Sequence, residues 1–179
     1  MFNFKTYSHD ILTALSFISP EEVATCVDIL QRAKSQNSMV YIIGNGGSAA
    51  TASHFANDLL KMASLRAVAL PDLLPAMSAF ANDDGWENMY ARMLKKLLLP
   101  QDVVIGISCS GFSMNVVNAI EMARSINLPA VKTIVLTGST WDTPLAALKP
   151  DVIVHVPFGD IRVQEDCHLI VCHAIAGAL

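Results

Sequence analysis

Two groups of side chains in this sequence could perform acid–base or metal chemistry. His54 and Asp58 are four residues apart, so on a helix they would share one face. Glu165 and His173 lie in the last helical segment, about 12 Å apart along the axis at ~1.5 Å per residue. Imidazole and carboxylate groups can shuttle a proton, and together they suit a divalent metal such as Zn²⁺. A His–Asp pair at this spacing is also common as an ordinary surface contact.

A glycine-rich turn forms the second kind of candidate site. The apolar stretch Met39–Ile43 predicts a strand, and it is followed at once by Gly44, a turn and the start of a helix. The first amides of a helix have no partner within the helix, and the helix dipole favours an anion there. The spacing matches neither a dinucleotide fingerprint nor a Walker loop. We therefore expect a phosphate or a sugar oxygen to bind the turn residues Asn45, Gly46, Gly47 and Ser48.

A second loop of the same kind follows the apolar strand 102–107. Its hydroxyl groups belong to Ser108, Ser110 and Ser113, which could surround a phosphate without a cation. The alternative is an ordinary serine-rich turn with a helix cap. Asn82 and Asp83 are further candidates for binding sugar hydroxyls, although a plain turn would explain them equally well. Two loops at equivalent strand ends are stronger evidence than either loop alone.

The elements that must position these residues alternate between helix and strand. Helical spacing predicts two helices between residues 7 and 36, with Ser19 as an N-cap and Pro20 in the first turn. The remaining predicted strands are 67–70, 131–137 and 152–156, and the remaining predicted helices are 49–60, 74–80, 86–99, 115–126 and 162–179. Asp160 precedes the last helix and is a candidate for its N-cap rather than a ligand. Strands that are apolar on both faces indicate a parallel sheet covered on both sides. The prediction is a single doubly wound α/β domain over residues 1–179, with its site at the carboxyl ends of the strands.

Composition limits the class of protein. Hydrophobic residues make up 53% and charged residues 16%, which favours an oligomer with an apolar interface that includes Ile11, Leu12 and Leu15. The net charge of −4 argues against nucleic acid, and the apolar runs are too short to span a membrane. The four cysteines form no CxxC pair, and no secretory signal opens the chain. We therefore expect reduced thiols, a cytoplasmic location, and neither nucleic acid nor membrane as a partner.

Two motifs resemble one known family. The run from Gly44 to Ala50, which is followed by His54-Phe55-Ala56, and the later run from Ser108 to Val116 resemble the sugar isomerase (SIS) domain. They resemble most closely its phosphoheptose isomerase branch, over nearly the whole chain. The resemblance implies a flavodoxin-like sheet and a homotetramer with residues 1–37 at its interface. It also implies isomerisation of sedoheptulose 7-phosphate to D-glycero-D-manno-heptose 7-phosphate.

The resemblance also assigns roles to individual residues. It implies Asp58 and His173 as the proton-transfer pair, and a zinc ion held by His54, Asp58, Glu165 and His173. Asp58 stands where the family usually has Glu, and Glu165 where it usually has Gln. The residues 61–64 replace a usual Gly-Arg. Isomerisation of another sugar phosphate and a non-catalytic SIS module that binds a sugar phosphate or a partner protein are therefore the alternatives.

Overall fold

A five-stranded parallel sheet is the centre of the computed structural model, which describes residues 3–126, 128–138 and 141–179. The strands are β1 (Val40–Gly44), β2 (Ala67–Ala69), β3 (Val103–Ser108), β4 (Lys132–Thr137) and β5 (Val152–His155). Their order in the sheet is β2-β1-β3-β4-β5, which is the order of flavodoxin-like sheets. The predicted fold class is therefore confirmed.

Helices cover both faces of this sheet. They are α1 (Phe4–Leu15), α2 (Pro20–Ser35), α3 (Gly47–Lys61), α4 (Leu74–Asp84), α5 (Met89–Leu97), α6 (Met114–Ser125), α7 (Pro144–Ala147) and α8 (Ile161–Gly177). Within the described residues, no helix combines the length and the apolarity needed to cross a bilayer.

Successive side chains of a strand point to opposite faces of the sheet and pack into two separate hydrophobic cores. In β1, Val40 and Ile42 pack with α2, α3 and α8, whereas Tyr41 and Ile43 pack with α5 and α6. Every residue of β1 is buried, which explains why the strand reads as a continuous apolar run. The helices that follow β1 and β3 thus leave on opposite faces of the sheet.

Helix α1 packs against α8 within the same chain. Ala14 is fully buried there, and Ile11 and Leu15 pack against the cluster that contains Val163. Leu12 is 67% exposed on the other side of α1. Of the three apolar residues predicted at an oligomer interface, only Leu12 is exposed, because Ile11 and Leu15 pack against α8.

The side-chain caps predicted at two helix starts are present in the structure. The Ser19 Oγ accepts a hydrogen bond from the Glu22 amide at 3.2 Å and begins α2. Asp160, expected to be an N-cap, accepts from the Arg162 amide at 2.9 Å and begins α8. A polar side chain before a helix satisfies amides that have no partner in the first turn.

The region between β2 and β3 differs from the prediction. Asn82 and Asp83 belong to the last turn of α4, which ends at Asp84, and the next helix begins only at Met89. The chain turns only at Gly85, after the end of α4, and the φ of 85° there suits a glycine. The short helix α7 was not predicted at all.

Candidate active site

The glycine turn after β1 leaves helix amides open to a ligand. Gly46 has a φ of 53° and a ψ of −122°, a conformation that only glycine adopts readily. It is the N-cap of α3 and makes no side-chain cap bond. Gly44 is held close to the helix, since a Cβ there would lie 2.7 Å from the carbonyl oxygen of Ser48. The turn therefore presents the amino end of α3 to the space above the sheet.

The serine loop after β3 is shaped by its own hydroxyl groups. The Ser108 Oγ accepts a hydrogen bond from the Gly111 amide, and the Ser110 Oγ accepts from the Phe112 amide, each at 3.2 Å. Gly111 has a φ of 70°, so the turn needs a glycine. Ser113 is the N-cap of α6 but makes no side-chain cap bond, which leaves its hydroxyl for a ligand.

An asparagine pair joins the two loops. Asn45 and Asn115 exchange two hydrogen bonds of 2.8 Å, each Nδ2 donating to the other's Oδ1. Asn115 is buried, and its Oδ1 also accepts from the Val116 amide at 3.0 Å. The pair fixes the distance between the glycine turn and the serine loop, a role that the sequence analysis did not assign to Asn115.

The two loops enclose one cavity because β1 and β3 are neighbours in the sheet. Gly44 pairs with Ile107 at their carboxyl ends, which is the point where the chain order in the sheet reverses. The cavity measures about 270 Å³. All seven loop residues predicted to bind phosphate line it: Asn45, Gly46, Gly47, Ser48, Ser108, Ser110 and Ser113. We call this cavity the loop cleft.

Asn82 and Asp83 do not line the loop cleft. Both are exposed at the end of α4, where the Asn82 Nδ2 donates to the Asp83 Oδ1 at 2.8 Å. A larger groove of about 500 Å³ lies between α5 and α6, and none of the predicted site residues lines it. Among the described residues, neither Asn82 nor Asp83 is part of the loop cleft lining, and their sugar-binding role stays a prediction.

Glu165 is the charged residue of the loop cleft. Its carboxylate lies against Gly47, so that a methyl group added at Gly47 would meet both carboxylate oxygens, with Oε2 at 2.6 Å. Among the described residues that line the cleft, none is a lysine or an arginine. Amides, hydroxyl groups and one carboxylate therefore form its polar surface.

A second group of polar side chains lies further along α3 and α8. The Nε2 atoms of His54 and His173 are 2.9 Å apart, and they lie 3.3 and 3.6 Å from the Asp58 Oδ2. The Asp58 carboxylate is buried, whereas each imidazole is about half exposed. We call these three residues the His–Asp cluster. The structure brings them together as the sequence predicted.

The His–Asp cluster fits a metal ion. The Asp58 Oδ2 is buried and has no hydrogen-bond partner, so it is free to bind a cation. A zinc ion with bonds of ~2.0–2.2 Å would separate its ligand atoms by roughly 3.3–3.6 Å. The two distances from the Asp58 carboxylate, 3.3 and 3.6 Å, match this spacing, and the two imidazoles at 2.9 Å would move slightly apart. Three protein ligands would leave a fourth position for a substrate. Asp58 is long enough to reach both imidazoles, despite being shorter than the usual Glu.

Glu165, the fourth predicted ligand, does not join this cluster. The donor atoms that lie within 4.8 Å of one another come from His54, Asp58 and His173. Glu165 and His173 are eight positions apart on α8, a rise of about 12 Å, and the Glu165 carboxylate is turned toward Gly47. In this structure, Glu165 therefore belongs to the loop cleft.

The loop cleft and the His–Asp cluster rest on the same two helices. Helices α3 and α8 start side by side, where Gly47 meets Glu165, and they are still in contact where His54 meets His173. The seven residues from Gly47 to His54 span about 10 Å of helix. A ligand bound by both regions would thus lie along α3 and α8.

A buried thiol–imidazole contact supports the serine loop. The Nε2 of His168 lies 3.2 Å from the carbonyl oxygen of Thr137, and its Nδ1 lies 3.7 Å from the Cys109 Sγ. Since a carbonyl only accepts, Nε2 carries the proton and Nδ1 can accept from the thiol. Burial lowers the pKa of His168 to about 4 and raises the pKa of Cys109 to about 11. Both groups stay neutral, so His168 is a structural residue and Cys109 remains a thiol rather than a nucleophilic thiolate.

His155 also has a structural role. It is buried, and its Nε2 hydrogen bonds to the carbonyl oxygen of Gly138 just beyond β4. Burial lowers its pKa, so the neutral imidazole donates this bond. The two buried histidines hold consecutive carbonyl groups at the end of β4.

Comparisons with known proteins agree on one family. The profile of the SIS domain matches residues 3–138. A phosphoheptose isomerase of Geotalea daltonii is 35% identical over 168 residues, which cover 90% of this chain and 84% of that protein. One of Helicobacter pylori is 33% identical over 166 residues, with coverages of 89% and 83%. The structure of phosphoheptose isomerase from Neisseria gonorrhoeae superposes with a TM-score of 0.87 at 28% identity, covering 97% of this chain and 93% of that one.

Proposed function

Because this chain belongs to the phosphoheptose isomerase family of SIS-domain proteins, we propose that it isomerises sedoheptulose 7-phosphate to D-glycero-D-manno-heptose 7-phosphate. The observation that carries the proposal is the pairing of two sites on α3 and α8. The loop cleft offers amides and hydroxyl groups to a phosphate or a sugar, and the His–Asp cluster offers groups that move protons.

The loop cleft supplies binding. The amino ends of α3 and α6 point at it, and the Ser113 hydroxyl group is free of a cap bond. Such donors bind a phosphate by partial charge and hydrogen bonds rather than by a salt bridge. Asn45 and Asn115 hold the two loops at a fixed spacing, so the donors are arranged before the ligand arrives.

Asp58 and His173 supply the proton transfer. Isomerisation removes a proton from C1 of the ketose, passes through an enediol and returns a proton to C2, while a hydroxyl proton moves from O1 to O2. A carboxylate and an imidazole can divide these two transfers between them. Their atoms lie 3.6 Å apart, with His54 Nε2 within 3.3 Å of the same carboxylate oxygen. His54, Asp58 and His173 would hold a zinc ion, which when bound supplies Lewis-acid polarisation of the substrate carbonyl.

We also propose that the protein is a homotetramer and that it is located in the cytoplasm. Phe4 and Leu12 of α1 are 73% and 67% exposed, as expected for residues that another subunit covers. The four cysteines are buried and form no disulfide bond among the described residues, which suits a reducing compartment. Light scattering at micromolar concentration should give four times the chain mass, and Leu12→Glu should lower it. A monomeric wild-type protein would contradict the tetramer.

Turnover of sedoheptulose 7-phosphate, followed by NMR of the aldose product, tests the reaction. We expect turnover that a chelator suppresses and Zn²⁺ restores. His173→Ala should abolish turnover, whereas His9→Ala, a matched change at an exposed histidine of α1, should leave it intact. Turnover of a different sugar phosphate would correct the substrate. Sugar phosphate binding without turnover of any substrate would favour a non-catalytic module.

A further inference from the structure

The position of Glu165 gives the loop cleft a charge that its other polar groups lack. The half-buried carboxylate lies against Gly47, the first residue of α3, where the helix would otherwise favour an incoming anion. Of the described residues in the lining of this cleft, none is a lysine or an arginine. The negative charge at this end of the cleft is therefore not neutralised by a cation.

A charge in this place affects different ligands in different ways. Sugar hydroxyl groups can donate hydrogen bonds to a carboxylate, so they gain from Glu165. A second anionic group on the same ligand, such as a carboxylate or a second phosphate, is repelled by it. The serine loop lines the same cleft as Glu165, and its hydroxyl groups at Ser110 and Ser113 can bind one phosphate.

We propose that Glu165 is a specificity-determining residue that makes the loop cleft select sugar monophosphates and reject ligands with a second anionic group. The phosphate binds at the serine loop, and the hydroxyl groups of the sugar face Glu165 at the start of α3. Sugar bisphosphates and phosphorylated sugar acids are excluded by charge repulsion. This inference rests on the proposed function, since it concerns the same cleft.

Isothermal titration calorimetry on two matched ligands tests the inference. One ligand is ribose 5-phosphate, and the other is ribonate 5-phosphate, which has a carboxylate in place of the aldehyde. Titrations use the purified full chain as isolated and again with a chelator, so that a metal does not attract the second anion. Glu165→Gln keeps the shape of the side chain and removes its charge. Glu121→Gln, on exposed α6 surface away from the loop cleft, is the matched control.

We expect Glu165→Gln to lower the Kd of ribonate 5-phosphate about tenfold relative to that of ribose 5-phosphate, allowing for solvent screening at a half-buried site. Raising the salt concentration from about 10 mM to about 0.5 M should reduce the discrimination of the wild type but not that of the variant. The control should match the wild type.

Two results would overturn the inference. If the ratio of the two dissociation constants is the same in wild type and Glu165→Gln, Glu165 does not select by charge, although the proposed function stands if sedoheptulose 7-phosphate is still turned over. If neither ligand binds to either protein, the inference fails, and if no turnover is found either, the proposed function fails with it.

Discussion

Replacing Asp58 by Asn should stabilise the metal-free protein while removing its activity. The Asp58 Oδ2 is buried without a hydrogen-bond partner, and the other oxygen has a single long contact of 3.4 Å from Asn57. An unsatisfied buried polar group costs about 1–3 kcal/mol, and more when it is charged. Asn keeps the shape, removes the charge and can donate to the His54 Nε2. We expect the free energy of unfolding to rise by about 1–2 kcal/mol at ~pH 8, where histidines are ordinarily neutral.

Zinc should reverse this order of stabilities. An ion that binds only the folded protein adds about 2.7 kcal/mol to its stability at a hundred times its Kd. Asp58→Asn loses the one anionic ligand of the His–Asp cluster and should gain much less from zinc. The wild type should therefore be the less stable protein in chelator and the more stable one in zinc.

Urea unfolding at one fixed protein concentration, in chelator and in excess Zn²⁺, measures both effects. Asp28→Asn, an exposed Asp of α2, is the matched control and should change neither. A variant that is less stable than wild type in chelator would refute the reasoning, because it would show that the carboxylate is well satisfied without metal. Equal stabilisation of both proteins by zinc would remove Asp58 from the ligand set.

Three further predictions concern the loops and their support. The pKa of His168 is about 4 when folded and ordinarily 6.5, so the unfolded state binds more protons between these values. Stability should therefore fall by about 3 kcal/mol as the pH drops from 6.5 to 4, and urea unfolding of His168→Gln should show a flatter slope. A double-mutant cycle of Asn45→Ala and Asn115→Ala should give a coupling of about 1–2 kcal/mol in urea unfolding, and additive effects would contradict the pairing. Gly46→Ala should cost about 1–3 kcal/mol of backbone strain and weaken inorganic phosphate binding, while Gly159→Ala, which also meets open space, should do neither.

Local chemistry explains what the sequence predicted well. The five strands were predicted within one or two residues of their observed bounds. β1 and β3 are buried along their whole length, which is why their sequences read as apolar runs. Ser19 and Asp160 were correctly assigned as caps, since a cap depends on the few residues that follow it. The contact between His54 and Asp58 was predicted correctly, because residues four apart on one helix lie on the same face.

Side-chain direction and long-range contacts explain what the sequence did not predict. Glu165 was assigned to the metal, but whether its carboxylate faces Gly47 or the cluster depends on how α8 packs against α3. The bond between Asn45 and Asn115 joins residues 70 apart and exists only once β1 and β3 are paired. The position of Asn115 just after the serine loop was the one available signal.

The parallel start of α3 and α8 has a consequence for ligand size. On α3, Gly47 of the loop cleft and His54 of the His–Asp cluster are seven residues apart. On α8, Glu165 of the cleft and His173 of the cluster are eight residues apart. At 1.5 Å per residue, the two helices set a distance of about 10–12 Å between the loop cleft and the His–Asp cluster. The number of helical residues between the two sites thus determines how long a carbon chain must be to reach both. A sugar phosphate shorter by several carbons could fill the cleft and still leave its carbonyl group out of reach of Asp58 and His173.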